Sequence, residues 1–428
     1  MNTLLLQQAR ILSPDSGDPA PMDLRVENGM LRDIAPQLPA HDGETVIQAA
    51  GCLLLPALCD AHVHLREPGQ EDAETLQSGT EAAIAGGFTR ILAMPNTDPP
   101  IDTGGMVAYI QSMAKTRARI PVSVAGCLTK DRKGAKLAEI ADMSEQGAIM
   151  VTDCNHALQD AYVLRRALEY TRHFDMVVGV YPDTPALSAG GVMHEGNASF
   201  RLGLPGIPAM AEEIGIERDL RVAAAVDGRI HIQNVSTAEG VDTIRRWKAR
   251  GVRVTAETTP HHLLLCDEDI KGYNTHFKMM PPLRTPNDQA ALLDGLLDGT
   301  LDMIATGHAP HTDFSKNLDF NHAPFGVIGL ETALPVLYDA LVRTGKLPWA
   351  RLVDLMAFAP RKLLGLPENT LSVGQPFEAL LFDPEQSTRI HRQTLKSRSF
   401  NSPWLGQTLQ GRIRSLWLGD RELLNTTA

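Results

Sequence analysis

The chain has 428 residues, 43% apolar and 5% aromatic, with 40 Lys and Arg against 51 Asp and Glu for a formal charge of −11. That length exceeds one ordinary domain and suits a large α/β unit with a smaller companion. The acidic balance argues against nucleic acid or an anionic membrane as the main partner, and no apolar run approaches the roughly 18 residues that a membrane span requires.

Met1 to Arg10 lacks a basic segment followed by an apolar one, so no signal peptide is expected. Residues 1–51 hold short strand candidates at 3–6, 9–12, 23–26 and 30–34, broken by Pro14, Gly17, Pro19 and Gly29. So short a β unit does not make a core alone. From 52 to 366 the pattern changes. Strand-like runs at 53–59, 89–94, 121–128, 148–152, 176–181, 229–235, 252–258 and 302–305 alternate with amphipathic runs such as 74–85, 160–171, 211–226 and 238–249. Crossovers that long call for parallel pairing. Eight of them predict a closed (β/α)8 TIM-type barrel, with a doubly wound sheet as the alternative. After a helical run at 351–366, residues 367–428 return to strands at 378–383 and in a terminal hairpin at 411–424, predicting one composite β domain built from both chain ends. The five cysteines (Cys52, Cys59, Cys127, Cys154, Cys266) show no paired spacing and read as reduced thiols, so a cytoplasmic location is expected.

The chemistry of such a barrel sits at the C-terminal ends of its strands. Strand one leads into Asp60-Ala61-His62-Val63-His64-Leu65-Arg66. Two histidines two positions apart on a strand point the same way and could share a metal ion. The other strand ends carry Pro95 and Asn96, Asp153 and Cys154, Tyr181, Asn234, His261 and His262, and Gly307, His308 and His311. His261 and His262 are expected to pack or to bond a loop.

Several separated motifs give the chain a recognisable likeness. His62-Val63-His64-Leu65-Arg66-Glu67-Pro68-Gly69, Met94-Pro95-Asn96-Thr97, Thr259-Pro260-His261-His262, Pro281-Pro282-Leu283-Arg284, His308-Ala309-Pro310-His311 and Pro324-Phe325-Gly326 resemble the class I dihydroorotases of the amidohydrolase superfamily, and the terminal pieces match as well. The resemblance implies zinc-activated water attacking a cyclic amide, reversibly linking dihydroorotate and carbamoyl-aspartate. An Asp after strand eight moves the proton. It also implies that Arg66, Asn96 and His311 hold the substrate, Arg being suited to a carboxylate by its planar fork.

The same resemblance exposes departures. His62 and His64 match the family's paired histidines. Its strand-four ligand falls on Cys154, with Asp153 just before it, and both are weak metal candidates. Its strand-five and strand-six histidines are Tyr181 and Asn234, and its catalytic Asp is Gly307; Met280 stands where the family often has Asn. A phenol titrating near 10 and a neutral amide are poor zinc ligands, and a general base is worth about 10²–10⁴ in rate. Zinc is therefore expected to be absent or weakly bound, and no confident catalytic residue remains. The expected function is that of the family's non-catalytic, dihydroorotase-like chains, which partner aspartate carbamoyltransferase in a homo- or hetero-oligomer. The alternative is an active dihydroorotase with an atypical metal site, with His308 or Asp153 as replacement ligand or base.

Overall fold

The computed structural model describes residues 3–12 and 19–426; Pro14 and Gly17 lie outside them. Five strands, β1 (Thr3–Ile11), β2 (Pro21–Glu27), β3 (Met30–Ala35), β4 (Thr45–Gln48) and β5 (Leu53–Pro56), come before the barrel. They form one sheet with β16 (Glu378–Arg389), β17 (Thr408–Leu418) and β18 (Arg421–Asn425), in the order β18-β17-β16-β5-β1-β2-β3 with β4 beside β1. The N-terminal and C-terminal segments meet where β5 pairs antiparallel with β16, Leu54 opposite Leu381. Neither end could close this sheet alone, which is why its short strands gain a core only together.

The apolar run at 53–59 is not one strand. Leu53 to Pro56 belongs to the terminal sheet, and the barrel begins afresh at β6 (Leu58–Val63). The run reads as continuous because both faces of β5 are buried: Leu53 and Leu55 pack into the large barrel core, Leu54 into the core of the terminal sheet.

The barrel strands are β6, β7 (Phe88–Ala93), β8 (Val122–Gly126), β9 (Met150–Thr152), β10 (Val177–Val180), β13 (Ile230–Ile232), β14 (Val254–Thr258) and β15 (Met303–Ile304), all parallel neighbours in chain order. A two-stranded excursion, β11 (Met193–His194) with β12 (Gly206–Ile207), lies outside this ring. The ring closes through a parallel bridge between Val63 and His308, with the His64 N–H donating to the His308 carbonyl at 2.9 Å.

Helices start where side chains cap them. Thr75 caps Leu76–Ala85, Asp160 caps Ala161–Thr171 and Thr237 caps Ala238–Ala249. The run at 351–366 is broken into Trp349–Val353, a wider π-type turn at Asp354–Phe358, and Ala359–Leu363. Its Leu363 and Leu364 join Cys59, Leu92, Met150 and Met303 in an apolar cluster with the strands. No helix among the described residues is long and apolar enough to cross a membrane.

Candidate functional site

The C-terminal strand ends converge on a polar layer. A register shift between Asp60 and Val63 turns the end of β6, and Asp60 anchors it, accepting hydrogen bonds from the His62 N–H at 3.1 Å and from the Thr306 N–H and hydroxyl. The two imidazoles then stand with ring centroids 5.3 Å apart. Each is steered through Nδ1: His62 lies 2.5 Å from Glu257 Oε1, and His64 lies 2.7 Å from Asn96 Oδ1. Such partners fix a ring's orientation and leave Nε2 facing inward. Glu257 is itself held by His231 Nε2 at 3.1 Å, and His231 by Thr255 at 2.9 Å.

Cys154 and Asp153 separate as consecutive residues must. Cys154 adopts φ +57°, with its N–H donating to Thr152 Oγ1 at 2.9 Å. This brings its sulfur to 3.9 Å from His62 Nε2 and 3.8 Å from His64 Nε2. His62, His64 and Cys154 thus offer three donor atoms, all within 4.8 Å of one another. Asp153 turns away. Its oxygens accept from the Leu128 N–H at 3.0 Å, the Thr129 N–H at 2.9 Å and the Thr129 hydroxyl at 2.5 Å, so it is a loop anchor and not a metal candidate. His308 is committed likewise: Nε2 meets Glu74 at 3.2 Å and Nδ1 accepts from the Gly329 N–H at 3.2 Å. Neither residue is placed as a replacement ligand or base.

Burial tends to push the His62 imidazole down, but the adjacent Glu257 carboxylate and the Cys154 sulfur outweigh it and hold it above its usual range. Glu257 is drawn below the usual carboxylate range, the charges of His62 and His231 overcoming its own desolvation. His64 is pushed well below its usual value by burial and by the Arg66 and His62 charges. The Tyr181 phenol is pushed well above 10 by burial, with Asp183 and Glu212 adding to it, which disqualifies it further as an anionic ligand.

Tyr181, Asn234, His261 and Gly307 line the same cavity as His62 and His64. Gly307 has φ +57°, and a Cβ placed there would stand 3.3 Å from Thr259 Cγ2 and 3.5 Å from Asn234 Oδ1. Asn234 Oδ1 is buried with no partner among the described residues. His262 bonds a loop, Nδ1 to Thr259 and Nε2 to the Pro281 carbonyl, as expected. His261 instead faces the cavity. The donor set therefore fits one metal ion bound by two imidazoles and a thiolate, and does not fit a second ion, whose ligands would be a phenol and an amide.

Arg66 is buried, with Nε donating to the Pro310 carbonyl at 3.1 Å and Nη2 3.4 Å from His311 Nε2. His311 Nε2 in turn donates to the Phe325 carbonyl at 2.8 Å. Burial pushes Arg66 down to about 10, and it has no ion pair among the described residues. The Asn96 oxygen is taken by His64, while the residue still lines the cavity. The free space between them is about 60 Å³, enough for a few waters and well below the ~300 Å³ at the lower end for small-molecule sites. Met279, Met280 and Phe325 narrow it.

A buried lysine pair holds that narrowing wall. Lys316 Nζ donates to the carbonyls of Lys278, Pro324 and Gly326 at 3.2, 3.0 and 3.1 Å, and Lys278 Nζ to those of Phe320 and Asn321 at 2.6 and 3.0 Å. Glu257, His231, Lys278 and Lys316 were not singled out in the sequence. A charge inside an apolar strand run, as at Glu257, was the one available signal.

Residues 51–240 match the family model described as dihydro-orotase-like. The dihydroorotase of Pelobacter propionicus is 45% identical over 95% of this chain and 96% of its own. That of Carboxydothermus hydrogenoformans is 41% identical over 95% of both. Among solved structures, the L-hydantoinase (dihydropyrimidinase) of Arthrobacter aurescens superimposes with a TM-score of 0.88 at 24% identity, covering 100% of this chain and 97% of that one, a likeness of fold. With near-full-length identity of 41–45% to dihydroorotases, this chain belongs to the dihydroorotase family.

Proposed function

We propose that this chain is a non-catalytic, dihydroorotase-like protein of pyrimidine biosynthesis whose barrel serves as an assembly partner of aspartate carbamoyltransferase. One observation carries the reading. The strand ends that face the paired histidines present a phenol at 181, an amide at 234 and no side chain at 307, inside a space of about 60 Å³. A missing general base costs about 10²–10⁴ in rate. A second metal that the site does not fit costs several kcal/mol more, at tenfold per 1.36 kcal/mol. Meanwhile the motifs that build the barrel are intact, the combination that a scaffold role requires.

A second reading, an active dihydroorotase with an atypical single-metal site, is favoured by the convergence of His62, His64 and Cys154. One experiment separates them. The purified chain, supplied with zinc, is assayed for cyclisation of carbamoyl-aspartate and for co-elution with its cognate aspartate carbamoyltransferase. The expected outcome is no turnover above background and a stable complex. Turnover that disappears in His62→Ala would establish the second reading, and separate elution would remove the partner.

A further inference from the structure

We infer that His62, His64 and Cys154 form a mononuclear, thiolate-containing site for one thiophilic d10 ion such as Zn2+, acting as a structural clasp between the ends of β6 and β9. The inference rests on the non-catalytic reading for the ion's role, but is measured without turnover.

The sulfur–nitrogen distances are close to bound ones. Zinc bonds of about 2.3 Å to sulfur and 2.0–2.1 Å to nitrogen, set tetrahedrally, place sulfur and nitrogen about 3.6 Å apart. Here the sulfur is 3.9 and 3.8 Å from the two Nε2 atoms. The sulfur also lies 3.9 Å from His64 Nδ1, so binding through His64 Nε2 requires the ring and the sulfur to shift relative to one another by about 1 Å or more.

The surroundings are built for such an ion. Both histidines are oriented from behind, by Glu257 and by Asn96, and Cys154 is held in a left-handed conformation by Thr152. The buried, unpartnered Asn234 Oδ1 lines the same cavity. A thiolate with two imidazoles selects zinc over Mg2+ and Mn2+, which prefer oxygen donors. The thiol proton leaves to solvent as the sulfur–metal bond forms.

The test is metal content and spectroscopy on the full chain. After dialysis with ZnCl2, one equivalent per chain is expected. Loading with CoCl2 is expected to give thiolate-to-cobalt charge-transfer absorption. Cys154→Ala removes that band and weakens zinc binding by more than about 100-fold. Glu257→Gln, which disturbs only the ring behind the site, weakens it about 10–100-fold. MgCl2 and MnCl2 are not retained. Zinc raises the Tm of the wild-type chain and not that of Cys154→Ala, and circular dichroism of both chains shows that the variant folds.

Retention of no zinc, retention of two equivalents, or binding unchanged in Cys154→Ala would each overturn the inference. Turnover by the loaded chain would overturn the non-catalytic reading and leave the metal count standing.

Discussion

Asp153 and Cys154 show how one position decides chemistry. The carboxylate faces the loop after β8 and accepts three hydrogen bonds there. The thiol, one residue later at φ +57°, faces the imidazoles. Asp153→Ala should therefore lower folding stability by roughly 2–4 kcal/mol, because buried N–H and O–H donors lose their acceptor. Chemical denaturation measures this, and zinc content per folded chain should be unchanged. At the reacting end, Gly307→Asp alone should leave turnover at background, since a base without its metal pair has no activated water to serve. Combining it with Cys154→Asp, Tyr181→His and Asn234→His should raise carbamoyl-aspartate cyclisation by at least about 10². At φ +57° an aspartate at 307 is strained, and its Cβ would stand 3.3 Å from Thr259 Cγ2, so Thr259 must give by a few tenths of an ångström to admit it.

Among elements, the split between β5 and β6 is the instructive one. Seven apolar residues in a row give no sign of where one sheet hands over to another, because a strand buried on both faces has no alternation to lose. Only pairing of Leu53–Pro56 with β16 and of Leu58–Val63 with β7 separates them. The wall at 324–326 is a second case, an irregular segment whose carbonyls converge on one buried ammonium. Lys316→Met removes the donor to the Pro324 carbonyl, while Gly326 keeps its bond from Asn401, and should cost about 1–3 kcal/mol. Limited proteolysis should then cut at 319–327 before anywhere else in the barrel, with cleavage mapped by mass spectrometry.

In the molecule as a whole, the small sheet joins the two chain ends beside the barrel, β5 pairing with β16. Glu74 stitches the barrel to the C-terminal segment, accepting from the Ser78 and Ser397 hydroxyls and the Arg398 N–H and meeting His308. Such long-range ties do not depend on a working active site. On the scaffold reading proposed above, co-elution with aspartate carbamoyltransferase, rather than a rate, is the measurement that belongs to this scale.

The sequence by itself determined the barrel, the family and the list of groups at each strand end, because period, spacing and residue type are local properties that need no coordinates. It showed that a phenol, an amide and a glycine replace the expected ligands and base. What only the tertiary structure decided was direction and company. Cys154 turns in while Asp153 turns out, His308 meets Glu74, and the Asn96 oxygen meets His64. Glu257, 195 residues from His62 in the chain, is the carboxylate that aims it. Those choices depend on backbone angles and on partners distant in sequence, which spacing along the chain does not encode. They place His62 and His64 with Cys154 as three donor atoms within 4.8 Å of one another.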